Sequence, residues 1–564
     1  MSQEPARQEL MLSSDRINKL IASLVREQAP AWLRLDSDLR VPLHHLRSDE
    51  GGLVLDGITR ELPASLTLEW TGYNSLFSAR AEPRTDEHGT LRLTAPGGID
   101  RVQHRAFRRV LLSSQMVVRC RLASGASGAP EQLLALRDVS CEGLSAWLVA
   151  EAGAPAAPGQ GCLLTVVRPD APAIELCGEA RSLGGAIGGA PFIGFRVRPA
   201  SSQDGVAWLR FLERQQHPRV GTGPEGLLDV WPLYESAGYF SLSGKRPADF
   251  VERRAMFIEV TRRALEAPSV GMQAIWPQSG PPVATLSALR YYESAWLGFQ
   301  MAKRSGPAPD GTPGRLVLRE IHLSIYERIQ RDPGARWIIG HTQVRPVWSR
   351  LCHHDLTARY VESGDAAIWR FRAVEVKAPP VAAPLAPEVT VGVASGEETA
   401  AVLHAFARQH PPPFIEALDL VPRRFDLQEV RRRWWVGGLE RDRALLVARR
   451  GGEVLAAIVL ELADEGLHLF RLLDHALPIT LLPGGEACLG ALLVAAHAWY
   501  RKHGRRAWVC YLDARDEPCG GPGLRDLGEA DMCILSTARL PEFFEHVHEI
   551  TTPRGADDLA EGAR

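Results

Sequence analysis

The 564 residues are 45% hydrophobic and 23% charged, with a formal net charge of −2. That length calls for about three or four domains, and that composition excludes a disordered or membrane-embedded chain. The near-neutral balance also excludes a polyanion held by overall field, so only a local cluster of charge could attract one.

The first residues, "MSQEPARQEL", lack the basic start and apolar core of a secretory signal, which predicts a cytoplasmic location. Residues 1–14 read as a polar tail, and "SSDRINKLIASLVREQ" predicts one short helix, from a capping serine followed by apolar residues at helical spacing. Residues 1–40 therefore form a tail and helix. From 41 to 98, short alternating runs such as "ASLTLEW", "SLFSARAE" and "TLRLTAP" are separated by "DEHG" and "PGG", the pattern of a small antiparallel β module. The region 99–215 continues with "MVVRCRLA", "QLLALRDV", "GLSAWLVA", "CLLTVVR", "IELCGEARSL" and "FIGFRVR", six short strands that predict a barrel. A helix, "DGVAWLRFLERQQ", closes it, and "HPRVGTGPEG" reads as a linker.

The second half mixes helices and strands and repeats one order of elements. In 222–377 a helix ("ADFVERRAMFIEVTRRAL") precedes a hairpin ("MQAIWPQSGPPVATLSAL"), a strand ("SAWLGFQM"), a helix ("GRLVLREIHLSIYERIQ") and a strand ("ARWIIGHTQV"). In 388–555 the counterparts are "LQEVRRRWWVGG", "ALLVARRGGEVLAAIVLEL", "HLFRLLD", "EACLGALLVAAHAWYRKHG" and "RAWVCYLD". Between the copies, the prolines of "KAPPVAAPLAPEV" favour an extended spacer. The fold class expected is multidomain, with an all-β N-terminal half and an α+β C-terminal half in two copies. The apolar run "CLGALLVAAHAWY" is too short to span a bilayer, so no membrane insertion is expected.

Nine cysteines are scattered without a C-x-x-C pair, which reads as reduced thiols in a core. "CHHD" at 352–355 has ligand-type residues, but adjacent side chains diverge in a strand and stand about 100° apart on a helix, so no metal is assigned there. No Ser-His-Asp set can be assigned and no glycine-rich nucleotide loop occurs, so no catalytic residue is named.

One stretch stands out against the neutral background. "RVQHRAFRRV", 101–110, holds four arginines and a histidine with no acid, on a segment that leads into the barrel. Binding groups concentrate on such scaffold-held connectors. Arg105 and Arg109 are four apart, and "DVSCEG" follows with Asp138, Ser140 and Gly143 spaced D-x-S-x-x-G. A solvated charged face and a capped turn would account for each piece taken singly. A nucleic-acid patch is disfavoured because Arg119 and Arg121 alternate on a strand without interleaved aromatics.

The ordered pair, R-x-x-x-R then D-x-S-x-x-G on a six-stranded barrel, resembles the PilZ family of cyclic di-GMP receptors. The junction "GYNSLFSARAEPRTDEHGTLRLTAPGGIDRVQHRAFRRV" is similar to that of flagellar-brake-type proteins of bacteria, and the two resemblances together cover roughly 40–215. They imply cyclic di-GMP as ligand, with Arg105, Arg109, Asp138, Ser140 and Gly143 as its contacts. Guanidinium pairs with phosphate, stacks on purines and bonds guanine O6 and N7, while a carboxylate accepts from guanine's N–H edge. Ser140 can donate or accept, and Gly143 lets the backbone approach the ligand. Many relatives carry an arginine where this chain has His104, an imidazole mostly neutral at pH 7.

The repeated order in the second half resembles the acyl-CoA N-acetyltransferase (GNAT) fold in tandem. That family's phosphate-cradling turn, Q/R-x-x-G-x-G/A, is kept by neither copy: the second has "LLPGGEACLG", with Glu486 where a pyrophosphate would sit, and the first has "KRSGPAPDGTPG". The expectation is therefore a cyclic di-GMP-binding effector that couples the nucleotide to rearrangement of attached domains and docking of an unidentified protein partner. A nucleotide-regulated acyl-CoA-dependent N-acyltransferase, with acetyl-CoA as second ligand, is the alternative.

Overall fold

The computed structural model describes residues 7–10, 24–25, 31–34, 40–43, 47–49, 52–55, 62–63, 65–71, 75–85, 91–93, 99–103, 107–112, 116–123, 131–148, 156–168, 171–184, 191–244, 250–343, 347–378, 385–515 and 523–551. The chain divides into two compact units, the first built on Met1–Pro218 and the second on Arg219–Thr551. It is mostly β, with a closed six-stranded barrel, large sheets and some helices.

The first unit begins with a six-stranded antiparallel sheet in the order Arg7–Leu10, Ile99–Gln103, Ser75–Ala81, Leu66–Thr71, Ala31–Arg34, Arg40–Leu43. A four-stranded sheet follows the order Arg47–Asp49, Gly52–Leu55, Leu91–Leu93, Pro83–Thr85. The alternation read in the sequence is the pleat itself: Leu33, Leu68, Phe77 and Ile99 are buried together, with Trp70 stacked on Phe77. Two boundaries move. Arg7–Leu10, read as polar tail, pairs with Ile99–Gln103, and that strand belongs to this sheet and not to the barrel that follows. Of the helix expected over 13–28, Leu24 and Val25 are helical and the remainder lies outside the described residues.

The barrel comprises Val117–Leu122, Gln132–Ser140, Gly143–Trp147, Gly161–Arg168, Ala171–Gly184 and Phe192–Pro199. Gln132–Ser140 pairs on one side with Val117–Leu122 and on the other with Gly143–Trp147, which closes the ring. Val118, Leu136, Leu164, Leu176 and Phe195 fill its interior. The helix Ser202–Gln216, capped by the Ser201 hydroxyl accepting from the Asp204 N–H, buries Trp208, Phe211 and Leu212 against that core.

In the second unit a single sheet has eleven strands. One wing runs Gly271–Trp276, Ala284–Arg290, Ala295–Lys303, Trp337–Thr342, and the other Val389–Val393, Arg441–Arg450, Glu453–Ala463, His475–Thr480, Trp508–Asp513. Each wing has one parallel pair, Ala295–Gly298 beside Trp337–Gly340 and His475–Ala476 beside Val509–Cys510, bridged by the helices Gly314–Gln330 and Leu489–Lys502. The last strands cross over. Ala366–Val376 pairs with Trp508–Asp513 of the later wing, and Leu524–Ser536 pairs with Trp337–Thr342 of the earlier one. The two crossing strands pair with each other at the centre. The strand expected at "HLFRLLD" is displaced: His468–Asp474 turns, with Arg471 at φ 59°, and the strand begins at His475. The apolar run alone does not mark where backbone pairing starts. Among the described residues, no helix is long and apolar enough to cross a membrane.

The later wing holds a buried ion triad. Glu461 takes Arg441 at 2.6 Å and also pairs with Arg443, and all three side chains are almost wholly buried. Burial pushes the Glu461 carboxyl up, and the two guanidiniums more than reverse this, holding it below the ordinary range. Removing one member of such a set leaves buried charge uncompensated. Glu461→Ala is therefore expected to cost about 3–5 kcal/mol, read as a lowered urea midpoint for the second unit's transition; a loss below about 1 kcal/mol would show that the triad behaves as a surface pair.

Candidate functional site

Arg109, Asp138, Ser140 and Gly143 gather where the connector meets the barrel. Directly after Arg109, Val110–Leu111 forms a short strand antiparallel to Gln132–Ser140, with Val110 opposite Val139 and Leu111 opposite Asp138. The Leu112 N–H donates to the Arg137 carbonyl at 2.9 Å and extends this pairing. Backbone register thus delivers the Arg109 side chain to Asp138, and Arg109 Nη1 donates to Asp138 Oδ1 at 2.9 Å.

Asp138 is almost fully buried, and its second oxygen is also engaged: the Ser145 hydroxyl donates to Oδ2 at 2.5 Å. The Arg137 guanidinium stands 3.7 Å from the same oxygen and lies 4.0 Å above the Phe192 ring. A carboxylate out of water requires such compensation. In this state Asp138 holds Arg109 in place.

Ser140 and Gly143 flank the two-residue turn Cys141–Glu142. They face each other across it, and the Ser140 hydroxyl donates to the Gly143 carbonyl at 3.2 Å. The turn is fixed from behind, since Trp208 Nε1 donates to the Cys141 carbonyl at 3.1 Å. Space at Gly143 is tight. A Cβ there would lie 3.1 Å from the Phe195 carbonyl and 3.4 Å from Arg109 Nη2.

Arg109, Ser140 and Gly143 line one cleft of about 250 Å³. Among the described residues, two further arginines, Arg181 and Arg196, line it as well, beside Glu142, with Arg181 also paired to Glu179 at 3.1 Å. Three guanidiniums around one opening suit a compact anion with planar faces. The sequence reading brought together Arg109, Asp138, Ser140 and Gly143; His104 and Arg105 lie outside the described residues. It missed Arg181, Arg196 and Ser145. Arg196, in "GFRV", reaches the cleft as the register partner of Gly143, a pairing that the residues alone do not specify.

The second unit contains a larger cavity of about 410 Å³ where Ala295–Lys303 and Trp337–Thr342 diverge, lined by Phe299, Gln300, His341, His353 and Phe371 among others. Burial pushes the His341 imidazole down to about 3, with His475 adding to the effect, so His341 is neutral. The turn before Gly314–Gln330 is occupied by its own groups. Lys303 Nζ donates to the Gly306 carbonyl at 2.8 Å, and Asp310 pairs with Arg219. At the corresponding turn of the later wing the Gly485 N–H donates to the Leu482 carbonyl, and a Cβ on Gly485 would strike the Leu455 carbonyl at 2.4 Å. That glycine serves close packing.

No protein-family model and no curated protein matches the sequence. Among solved structures, the MrkH–c-di-GMP complex of K. pneumonia is 11% identical over 37% of this chain and 96% of its own, with a TM-score of 0.31. YcgR of Escherichia coli in complex with c-di-GMP is 16% identical over 35% of this chain and 87% of its own, at 0.27. A GCN5-related N-acetyltransferase from Sphaerobacter thermophilus is 12% identical over 57% of this chain and 96% of its own, at 0.33. At these scores a functional reading has to come from side chains.

Ser145→Ala would leave a buried carboxylate oxygen short of a donor. It is expected to destabilise the first unit by about 1–3 kcal/mol in denaturant unfolding; an unchanged midpoint would show that Arg109 and Arg137 satisfy Asp138 without it.

Proposed function

We propose that the first unit is a PilZ-type receptor for cyclic di-GMP and that the chain is an effector of that nucleotide. The observation that carries this reading is the convergence of Arg109, Ser140 and Gly143 on a cleft that also presents Arg181 and Arg196. The ligand has two phosphates and two guanines. Arg109 takes a phosphate or a guanine edge, and Arg181 and Arg196 neutralise what remains. Asp138, buried and outside the cleft lining, acts by keeping Arg109 aimed rather than as a direct contact. Arg105, from the R-x-x-x-R motif, is the second principal cation. His104, where many relatives have arginine, lowers the charge by one and weakens that contact.

Ordering a connector by a dianion is a known way to change what the connector joins. On this reading the nucleotide alters the arrangement of the attached domains and exposes a docking surface for a protein partner. The second unit, a GNAT-like pair, acts as that docking module. One observation favours an acyl-CoA-dependent acyltransferase instead: the cavity of about 410 Å³ in the earlier wing lies where two parallel strands part. The occupied turn before Gly314–Gln330 speaks against it, because Lys303 and Asp310 already have partners there.

Arg109→Ala and Asp138→Ala are each expected to weaken cyclic di-GMP binding by about 1–3 kcal/mol, measured by calorimetry on the full chain, and unchanged affinity in both would overturn the site. Calorimetric titration with acetyl-CoA is expected to be silent; a one-site isotherm would favour the acyltransferase. Solution scattering with saturating nucleotide is expected to differ from that of the free chain, and superimposable profiles would remove the coupling.

A further inference from the structure

The "CHHD" segment was set aside because neighbouring side chains on a helix diverge. The backbone there is not an ordinary helix. Arg350–His354 forms a π-helical turn, between the helical residues Val347–Ser349 and Asp355–Ala358. A π turn closes i→i+5 bonds and holds more residues per turn, so consecutive side chains stand closer in angle than about 100°. Such turns concentrate at functional sites.

The widened turn aims Cys352 and His353 together at the helix Gly314–Gln330, where His322 meets them. One ring nitrogen each of His322 and His353, with Cys352 Sγ, fall in one group whose ligand atoms all lie within 4.8 Å of one another. His322 and Cys352 are fully buried. The His322 ring is set for coordination, since Nδ1 donates to the Leu318 carbonyl at 2.7 Å and leaves the lone pair on Nε2. A backbone carbonyl behind the ligating imidazole is the usual support of a metal-binding histidine. Trp348 Nε1 faces Nε2 at 3.4 Å, longer than N–H bonds normally run, and would have to give way to a metal. The His353 ring lies 5.4 Å from that of His322, centre to centre.

Room exists beside two of the three: a void of about 20 Å³ is lined by Cys352, His353, Tyr326 and Cys533, though not by His322, and is enough for one small particle. His353 and Tyr326 also line the large cavity of the same unit. We propose that His322, Cys352 and His353 form a Zn(II) site with three protein ligands, whose fourth position is left to a small molecule or water from that cavity. Two imidazoles and a thiolate suit zinc by softness, and three ligands with one open place is the pattern of sites that act on a bound ligand. Bond lengths of about 2.0–2.3 Å would draw the trio inward by roughly 1 Å. As the Zn–S bond forms, the Cys352 S–H bond breaks and its proton passes to water.

Cobalt(II), which reports thiolate ligation by absorption, tests this on the full chain. A thiolate-to-cobalt charge-transfer band is expected to saturate at a single equivalent and to disappear on addition of Zn(II). Cys352→Ser should abolish the band, Cys533→Ala should keep it, and His353→Gln should weaken cobalt binding at least tenfold while the apparent Tm without metal stays unchanged. Absence of the band in the parent chain, or its survival in Cys352→Ser, overturns the site. Zn(II) should also raise the parent Tm, the shift growing with the logarithm of its free concentration above Kd; an unmoved Tm at saturating Zn(II) counts equally against it.

Discussion

A carboxylate withdrawn from water has to be compensated, and at Asp138 that need organises the candidate site. The strand Gln132–Ser140 carries it inward, Gly143–Trp147 supplies the Ser145 hydroxyl, and the connector supplies Arg109. Three separate pieces of chain are thereby fixed to one side chain. The place of Arg109 in the cleft follows from that anchoring, beside a turn that Trp208 fixes from behind. Because the Arg109 partner is a protein carboxylate and not solvent, its guanidinium is held in a defined direction before any ligand arrives, which lowers the entropy lost on binding.

Much of this was legible in the residues. The six strands of the barrel and its closing helix follow from alternation and turn residues, whereas the Arg109–Asp138–Ser140–Gly143 set is picked out only through the resemblance of two ordered motifs to a known family. What was not legible depends on register and backbone type. Arg196 enters the cleft only because it pairs across from Gly143, and Arg181 only because its strand is long enough to reach the same end. The strand Arg7–Leu10 was missed because polar residues suffice at a sheet edge, where backbone bonds and not burial set the pairing. His475, too, starts its strand a turn later than hydrophobicity indicates.

The same lesson applies to Cys352 and His353. Their adjacency argued against a shared ligand so long as the helix was taken to be regular. A single π turn changes the angle between them, and nothing in "RLCHHDL" announces it. Residue identity narrows the chemistry, but the backbone decides which identities meet.

In the second unit each wing completes its sheet with a strand that belongs, in sequence, to the other. Thr342 lies beside Cys533, 191 residues later, so this part of the sheet has among the most distant contacts in the chain. During synthesis the earlier wing would leave Trp337–Thr342 as an open edge until Leu524–Ser536 emerges. Closing a loop of that length makes assembly slow relative to the locally paired barrel. The protein thus has a long interval on the ribosome in which a foreign strand could take the vacant place, and the late strand Leu524–Ser536 determines whether the whole sheet closes correctly.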